Sequence, residues 1–334
     1  MNWFNLPPLT NCGMGQNYQE NGPLRTAMIY QVAVCSFPVL VNIIFAKRFH
    51  NSTIVPPTVK AVVAVSIACN VVELLFMLGI PIYHLVSYII AQSPCDVFVQ
   101  AVYCVIARFL QMVFLFMPTF LHVVLTIERS RMYGSDRKHI SNRATMCCIL
   151  IAFVLSFISS YLCFYNVEMK RWTPYCSTFN RTTILETVLV TIFMCVTEII
   201  SITITIYSYR VRIKNEPSIR IFDINQRYRR NEINYVFILM LPYMVFHFAI
   251  SFLNFTSTAI VPFFYDWNDD LVDLRTVMSL TNLVPFYCLL SPILLAFIIN
   301  RQKTARITAI NTMVKQDTSA DNYFKQLAAE WNAR

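Results

Sequence analysis

A chain of 334 residues of which 56% are hydrophobic and only 13% charged, with a mean hydropathy of +0.52, lies outside the soluble mix, in which about a quarter of residues carry charge. That excludes a water-soluble enzyme or nucleic-acid binder, and the net charge of +9 belongs instead to the loops of a membrane protein. Glycine numbers only 5, against 26 phenylalanines and 17 tyrosines, which argues against the glycine-broken helices of many secondary transporters.

In chain order, residues 1–25 are polar and carry Pro7-Pro8 and Asn-Cys-Gly turn chemistry, so an irregular arm is expected there. No secretory signal is apparent, because the first apolar run is long enough to remain as an anchor. Seven apolar runs follow, at residues 26–46, 59–81, 97–127, 144–165, 184–207, 233–261 and 275–299. At a rise of 1.5 Å per residue, runs of this length cross a bilayer core of about 30 Å as helices. The second continues past Pro81 into what reads as an apolar loop. The tail, residues 300–334, is polar and basic, and apolar spacing over 306–316 suits a helix lying on the membrane surface. The expectation is an all-α, seven-transmembrane helix bundle over 26–299, flanked by an arm and a tail.

Orientation follows from the lysines and arginines. One alternate set of loops, with the tail, holds most of them, among them Lys47, Arg48, Arg129, Arg131, Arg137, Lys138, Arg210, Arg212, Arg227, Arg229 and Arg301. The other set holds only Arg25, Lys170, Arg171, Arg181 and Arg275, and residues 263–273 are acidic. The amino terminus is therefore expected outside and the carboxyl terminus inside. Asn180-Arg181-Thr182 then forms a glycosylation sequon on the outer side. Cys12, Cys95, Cys104 and Cys176 fall on that same oxidising side. Four cysteines allow three pairings. The distance from Cys104 to Arg129 fits one crossing and favours Cys104 with Cys176 and Cys12 with Cys95; Cys95 with Cys176 stays open. Trp172 and Trp267 sit where an aromatic belt would be.

Arg108 lies one helical turn from Cys104, well inside the third run. A charge at that depth pairs or lines a polar cavity, and Glu186 and Glu73 are its expected partners. Gln111 and Met112 follow it on the same span, and Glu198 and His247 stand inside the fifth and sixth. With Asn282 of the seventh, Arg108, Gln111, Met112, Glu186 and His247 make a candidate ligand-contact set. Prolines 38, 118, 242, 285 and 292 lie within spans, where they kink helices and free carbonyls. At the inner end of the third span, Glu128-Arg129 forms an ionisable pair that Glu232 can meet across the bundle. There is no zinc-protease, nucleophile-elbow or nucleotide-loop signature and no metal-type spacing of cysteine or histidine. Neither a catalytic residue, a metal site nor a cofactor is expected.

With these motifs in place the chain resembles the G-protein-coupled receptors, and more narrowly the nematode serpentine chemoreceptors of the Sra superfamily, class alpha and its alpha/beta relatives. Cys95-Asp96, Cys104 with Arg108, and Ile127-Glu128-Arg129 carry the likeness. So do Gln226-Arg227-Tyr228 with Glu232, similar to the family's Arg-Tyr-Gln-x-x-Glu-Asn signature, then Leu241-Pro242 and Leu290-Ser291-Pro292. Arg229 and Ile233 depart from that signature. Against the rhodopsin-like class, no tryptophan precedes Pro242 and Ser291-Pro292-Ile-Leu-Leu replaces Asn-Pro-x-x-Tyr. The resemblance implies a chemosensory receptor of the plasma membrane, in sensory neurons and their cilia. It would bind a small ligand in the outer half of the bundle and signal to a heterotrimeric G protein through Glu128, Arg129, Arg227, Tyr228, Glu232 and Pro292. Membrane lipid is the other partner. A ligand-gated channel of the insect chemoreceptor type, with seven spans in the opposite orientation, is the alternative, and a transporter comes third.

Overall fold

The structure, a computed structural model, describes residues 12–51, 55, 57–134, 142–167, 169, 172–176, 184–214, 224–261 and 271–332. Side chains are described at all of these except 57–58, 128–134, 142–143, 212–214, 224–236, 306, 309–310 and 313–332. The elements in order are α1 (Cys12–Glu20), α2 (Gly22–His50), α3 (Pro57–Ile90), β1 (Val99–Gln100), α4 (Ala101–Gly134), α5 (Asn142–Phe164), β2 (Trp172–Thr173), α6 (Ile184–Lys214), α7 (Ile224–Ile260), α8 (Leu271–Leu280) and α9 (Val284–Asn332). Seven stretches among the described residues are helical, long and apolar enough to cross a membrane: Gly22–His50, Val59–Ile90, Ala101–Ile127, Ala144–Phe164, Ile184–Val211, Phe237–Ile260 and Leu271–Ala305. A helix satisfies its own backbone donors and acceptors, which hydrocarbon cannot do.

The bundle is greasy without, and its polar side chains within the spans turn inward among apolar ones. Along α5, Leu150, Ile151, Val154, Leu155 and Ile158 are exposed, while Ser156, Ser159 and Ser160 are buried. Lipid is as apolar as leucine, so small and polar side chains gain more from the helix interfaces. The centre is α4. Two-thirds (67%) of its most apolar window is buried, against 28–50% for the other six spans. Its inward face carries Arg108, Gln111, Thr119, His122 and Thr126, all buried and spaced by three, eight, three and four residues, as one face of a helix requires.

Four stretches differ from what the sequence predicts. The arm is not irregular after residue 12: α1 forms, and Asn21 then caps α2 by accepting a hydrogen bond from the Leu24 amide at 2.7 Å. The apolar segment after Pro81 is helical through Ile90. Proline removes only one donor, and His84 and Tyr88 beyond it are fully buried, so packing holds the helix on. The seventh crossing is two helices. It breaks between α8 and α9, where Asn254 of α7 accepts the Leu283 amide at 2.8 Å and Asn282 accepts the Val284 amide at 3.1 Å. Pro285 in the first turn of α9 needs no donor there. The tail is not a separate surface helix, since α9 runs unbroken to Asn332.

Candidate ligand cavity and the polar core beside it

One end of the bundle is capped. Strands β1 and β2 pair antiparallel, Val99 opposite Thr173 and Gln100 opposite Trp172. Cys104 at the start of α4 is joined to Cys176 just after β2, and Cys12 of α1 to Cys95. Between them the cap is dense. The Tyr175 ring stacks on His84, with centroids 5.0 Å apart, and on Tyr18 at 6.3 Å. Tyr88 donates to the Pro174 carbonyl at 2.7 Å, and the Cys176 amide donates to His84 Nε2 at 2.9 Å. Burial pushes the Tyr18 phenol up to about 12, with Arg275 beside it pulling the other way. Gly15 lets α1 lie flush on the loop, since a Cβ there would collide with the Pro94 carbonyl.

Arg108 locks the cap to α4. Its Nε and Nη2 both donate to the Cys176 carbonyl, at 3.2 and 2.8 Å, and its Nη1 donates to Gln111 Oε1 at 2.7 Å. Neither expected acid is a hydrogen-bond partner. A loop carbonyl, freed because the chain there is neither helix nor strand, takes the charge instead. Glu186 accepts from Asn166 Nδ2 at 2.9 Å and does not line the cavity below the cap, so the packing separates it from the other residues grouped with it as ligand contacts.

That cavity holds about 170 Å3 and opens between α2, α3, α4, α6, α7, α8 and α9. Arg108, Gln111, Met112, His247 and Asn282 all line it, as do Tyr175 and Arg275 near the cap and Thr119, Glu198 and Tyr287 at the far end. Glu73 also faces it, buried and with no hydrogen-bond partner at Oε1. Arg275, counted with the loops in the sequence, is buried in α8.

At the far wall three helices meet on one carboxylate. Glu198 of α6 accepts from Nδ1 of His122 on α4 at 2.6 Å and of His247 on α7 at 2.7 Å, while Thr119 donates to its other oxygen at 3.1 Å. All four are buried. Next to this group Tyr243 of α7 is hydrogen-bonded to Ser66 of α3 and to Tyr287 of α9, both at 2.9 Å. Asn42 of α2 donates to the Cys288 carbonyl at 2.7 Å, and Asn70 to Ser291 at 3.4 Å; Pro292 follows within α9. His122 was not among the expected residues. Its signal was there in the three- and four-residue spacing Arg108, Gln111, Leu115, Thr119, His122, Thr126, one helix face that is polar at every position except Leu115. Asn180 lies outside the described residues, and so do the side chains of Glu128, Arg129, Arg227, Tyr228 and Glu232.

A seven-helix membrane bundle with a stapled cap over an interior cavity is a seven-transmembrane architecture. The chain belongs to the serpentine type 7TM GPCR receptor class ab chemoreceptors, whose family model matches residues 9–332. It is thus a multi-pass membrane protein of a chemosensory G-protein-coupled receptor family. No curated protein matches it.

Proposed function

We propose that the receptor takes a small ligand in the cavity under the cap and passes the signal to a heterotrimeric G protein at the opposite end of the bundle. The observation that supports this most is the cavity itself, enclosed by the spans and roofed by the Cys104–Cys176 segment, with charged and amide groups of Arg108, Gln111 and Asn282 among apolar walls. Mixed lining of this kind suits a small ligand with a few polar groups. The capped end is the outer one in this reading. Its disulfides suit an oxidising side, and the basic loops then lie in the cytoplasm. Asn180 carries glycan, and the plasma membrane of sensory neurons is the site of action. The Gln226-Arg227-Tyr228 and Leu290-Ser291-Pro292 stretches support membership of the wider Sra superfamily.

For the ligand to signal, it must bind the active packing better than the resting one, since equal affinity shifts nothing. Glu128 with Arg129 and the stretch Arg227, Tyr228, Glu232 form the inner coupling face, and Pro292 the bend that lets α9 follow. The test is nucleotide exchange on G protein in membranes challenged with a panel of small odorants. Met112→Trp, which fills the cavity, is expected to abolish every response at normal surface level. Arg129→Ala is expected to abolish coupling while leaving surface level normal. A response unchanged in Met112→Trp moves the ligand elsewhere, and coupling unchanged in Arg129→Ala removes that arginine's role.

A further inference from the structure

His122, Glu198 and His247 come from three helices that are far apart in sequence, and they converge to within a few ångströms in the membrane interior. Their ligating atoms all lie within 4.8 Å of one another. The two imidazole rings stand nearly perpendicular, 85° apart with centroids at 4.9 Å, so both turn a nitrogen edge to the same carboxylate. Hydrogen bonding does not complete the group, because Nε2 of His122 is buried without a partner.

We propose that these three side chains form a binding site for a divalent transition-metal ion, zinc or copper, at the far wall of the cavity. Two imidazole nitrogens and one carboxylate oxygen are a donor set of borderline softness, which suits zinc or copper; calcium and magnesium seek six or more oxygens. Three protein ligands leave a fourth position for water or a ligand donor, as in open zinc sites. That position faces the cavity, which Glu198 and His247 both line.

Bonds of about 2.0–2.1 Å in a tetrahedron set ligand atoms about 3.3 Å apart, so the present contacts of 2.6 and 2.7 Å open by a fraction of an ångström, and the widest pair, within 4.8 Å, closes by up to about 1.5 Å. Rotation about the side-chain torsions covers that. Thr119, donating to the second Glu198 oxygen at 3.1 Å, already orients the carboxylate in the way outer-shell partners orient metal ligands. The cavity supplies the route in, and the ion would join α4, α6 and α7 by coordinate bonds. None of this depends on which organic molecule the receptor detects.

The experiment uses the full chain, purified in detergent, stripped with a chelator and passed through gel filtration after addition of zinc chloride. About one equivalent of zinc is expected to stay with the wild type and less than about a tenth with His247→Gln or Glu198→Gln, since each loses a direct ligand. In parallel, cupric ion added to the stripped wild type is read by electron paramagnetic resonance, where coupling to two nitrogens is expected. That measurement needs no variant to fold. No retained zinc in the wild type, equal zinc in the variants, or a copper signal without nitrogen coupling would overturn the proposal and leave the group as a hydrogen-bonded packing node. Such a failure leaves the odorant response of the wild type, and its loss in Met112→Trp, as they were.

Discussion

The capped end and the middle of the bundle are held together by different means. At the cap, two disulfides, stacked rings and a forked arginine fix the Cys176 segment to α1, α3 and α4. In the middle, the helices meet through single hydrogen bonds between side chains: Ser66 with Tyr243, Tyr243 with Tyr287, Thr126 with Thr205 at 3.2 Å, and the two histidines on Glu198. Covalent links allow one arrangement. Hydroxyls and imidazoles can exchange partners at little cost, because each is both donor and acceptor. The difference teaches where a conformational equilibrium can live: the cap serves as a frame, and the middle is the part able to take a second packing.

The largest blow to that contrast comes from Cys104→Ser. Opening the 72-residue separation closed by Cys104–Cys176 is expected to cost about 2–5 kcal/mol and to leave little receptor at the surface, as read by labelling intact cells. Normal surface level and odorant response in this variant would show the cap to be dispensable. Gly15→Val attacks the same region without touching sulfur. Its side chain meets the Pro94 carbonyl and Phe98, so an overpacking cost of about 1–3 kcal/mol is expected, seen as a lowered unfolding temperature in detergent. An unshifted temperature would mean that α1 does not dock closely.

Tyr243→Phe sharpens the comparison from the other side. It deletes one hydroxyl and its two contacts, to Ser66 and Tyr287, each worth about 0.5–1.5 kcal/mol of stability. Because those contacts join α3, α7 and α9, the expected result is a near-normal unfolding temperature with altered basal nucleotide exchange. A large drop in stability with unchanged exchange would make the tyrosine plain packing.

Seven spans were legible in the sequence because hydrocarbon imposes length and apolarity on each crossing separately. Of the six residues grouped there as ligand contacts, all but Glu186 line the cavity, for a related reason: a polar side chain inside a span, such as Arg108 or His247, is costly enough to stand out. Partnership was not legible. Arg108 finds a backbone carbonyl in a loop rather than an acid, and no spacing rule points to a carbonyl 68 residues away. Likewise His122, Glu198 and His247 lie on three helices, so local metal spacing is absent although their atoms converge. The continuation of α3 past Pro81 was hidden because the contacts that hold it, the His84 ring on Tyr175 and the Tyr88 hydroxyl on the Pro174 carbonyl, come from another loop.

The interruption at Thr281–Leu283 has a mechanical meaning. A continuous rod across the bilayer would carry a push at one end straight to the other. Here the seventh crossing is jointed: the joint is pinned sideways by Asn254, and α8 is seated against the frame through Ser279 and Tyr175. Asn282 of that joint also lines the cavity, so a displacement of the cavity wall there falls on the joint itself.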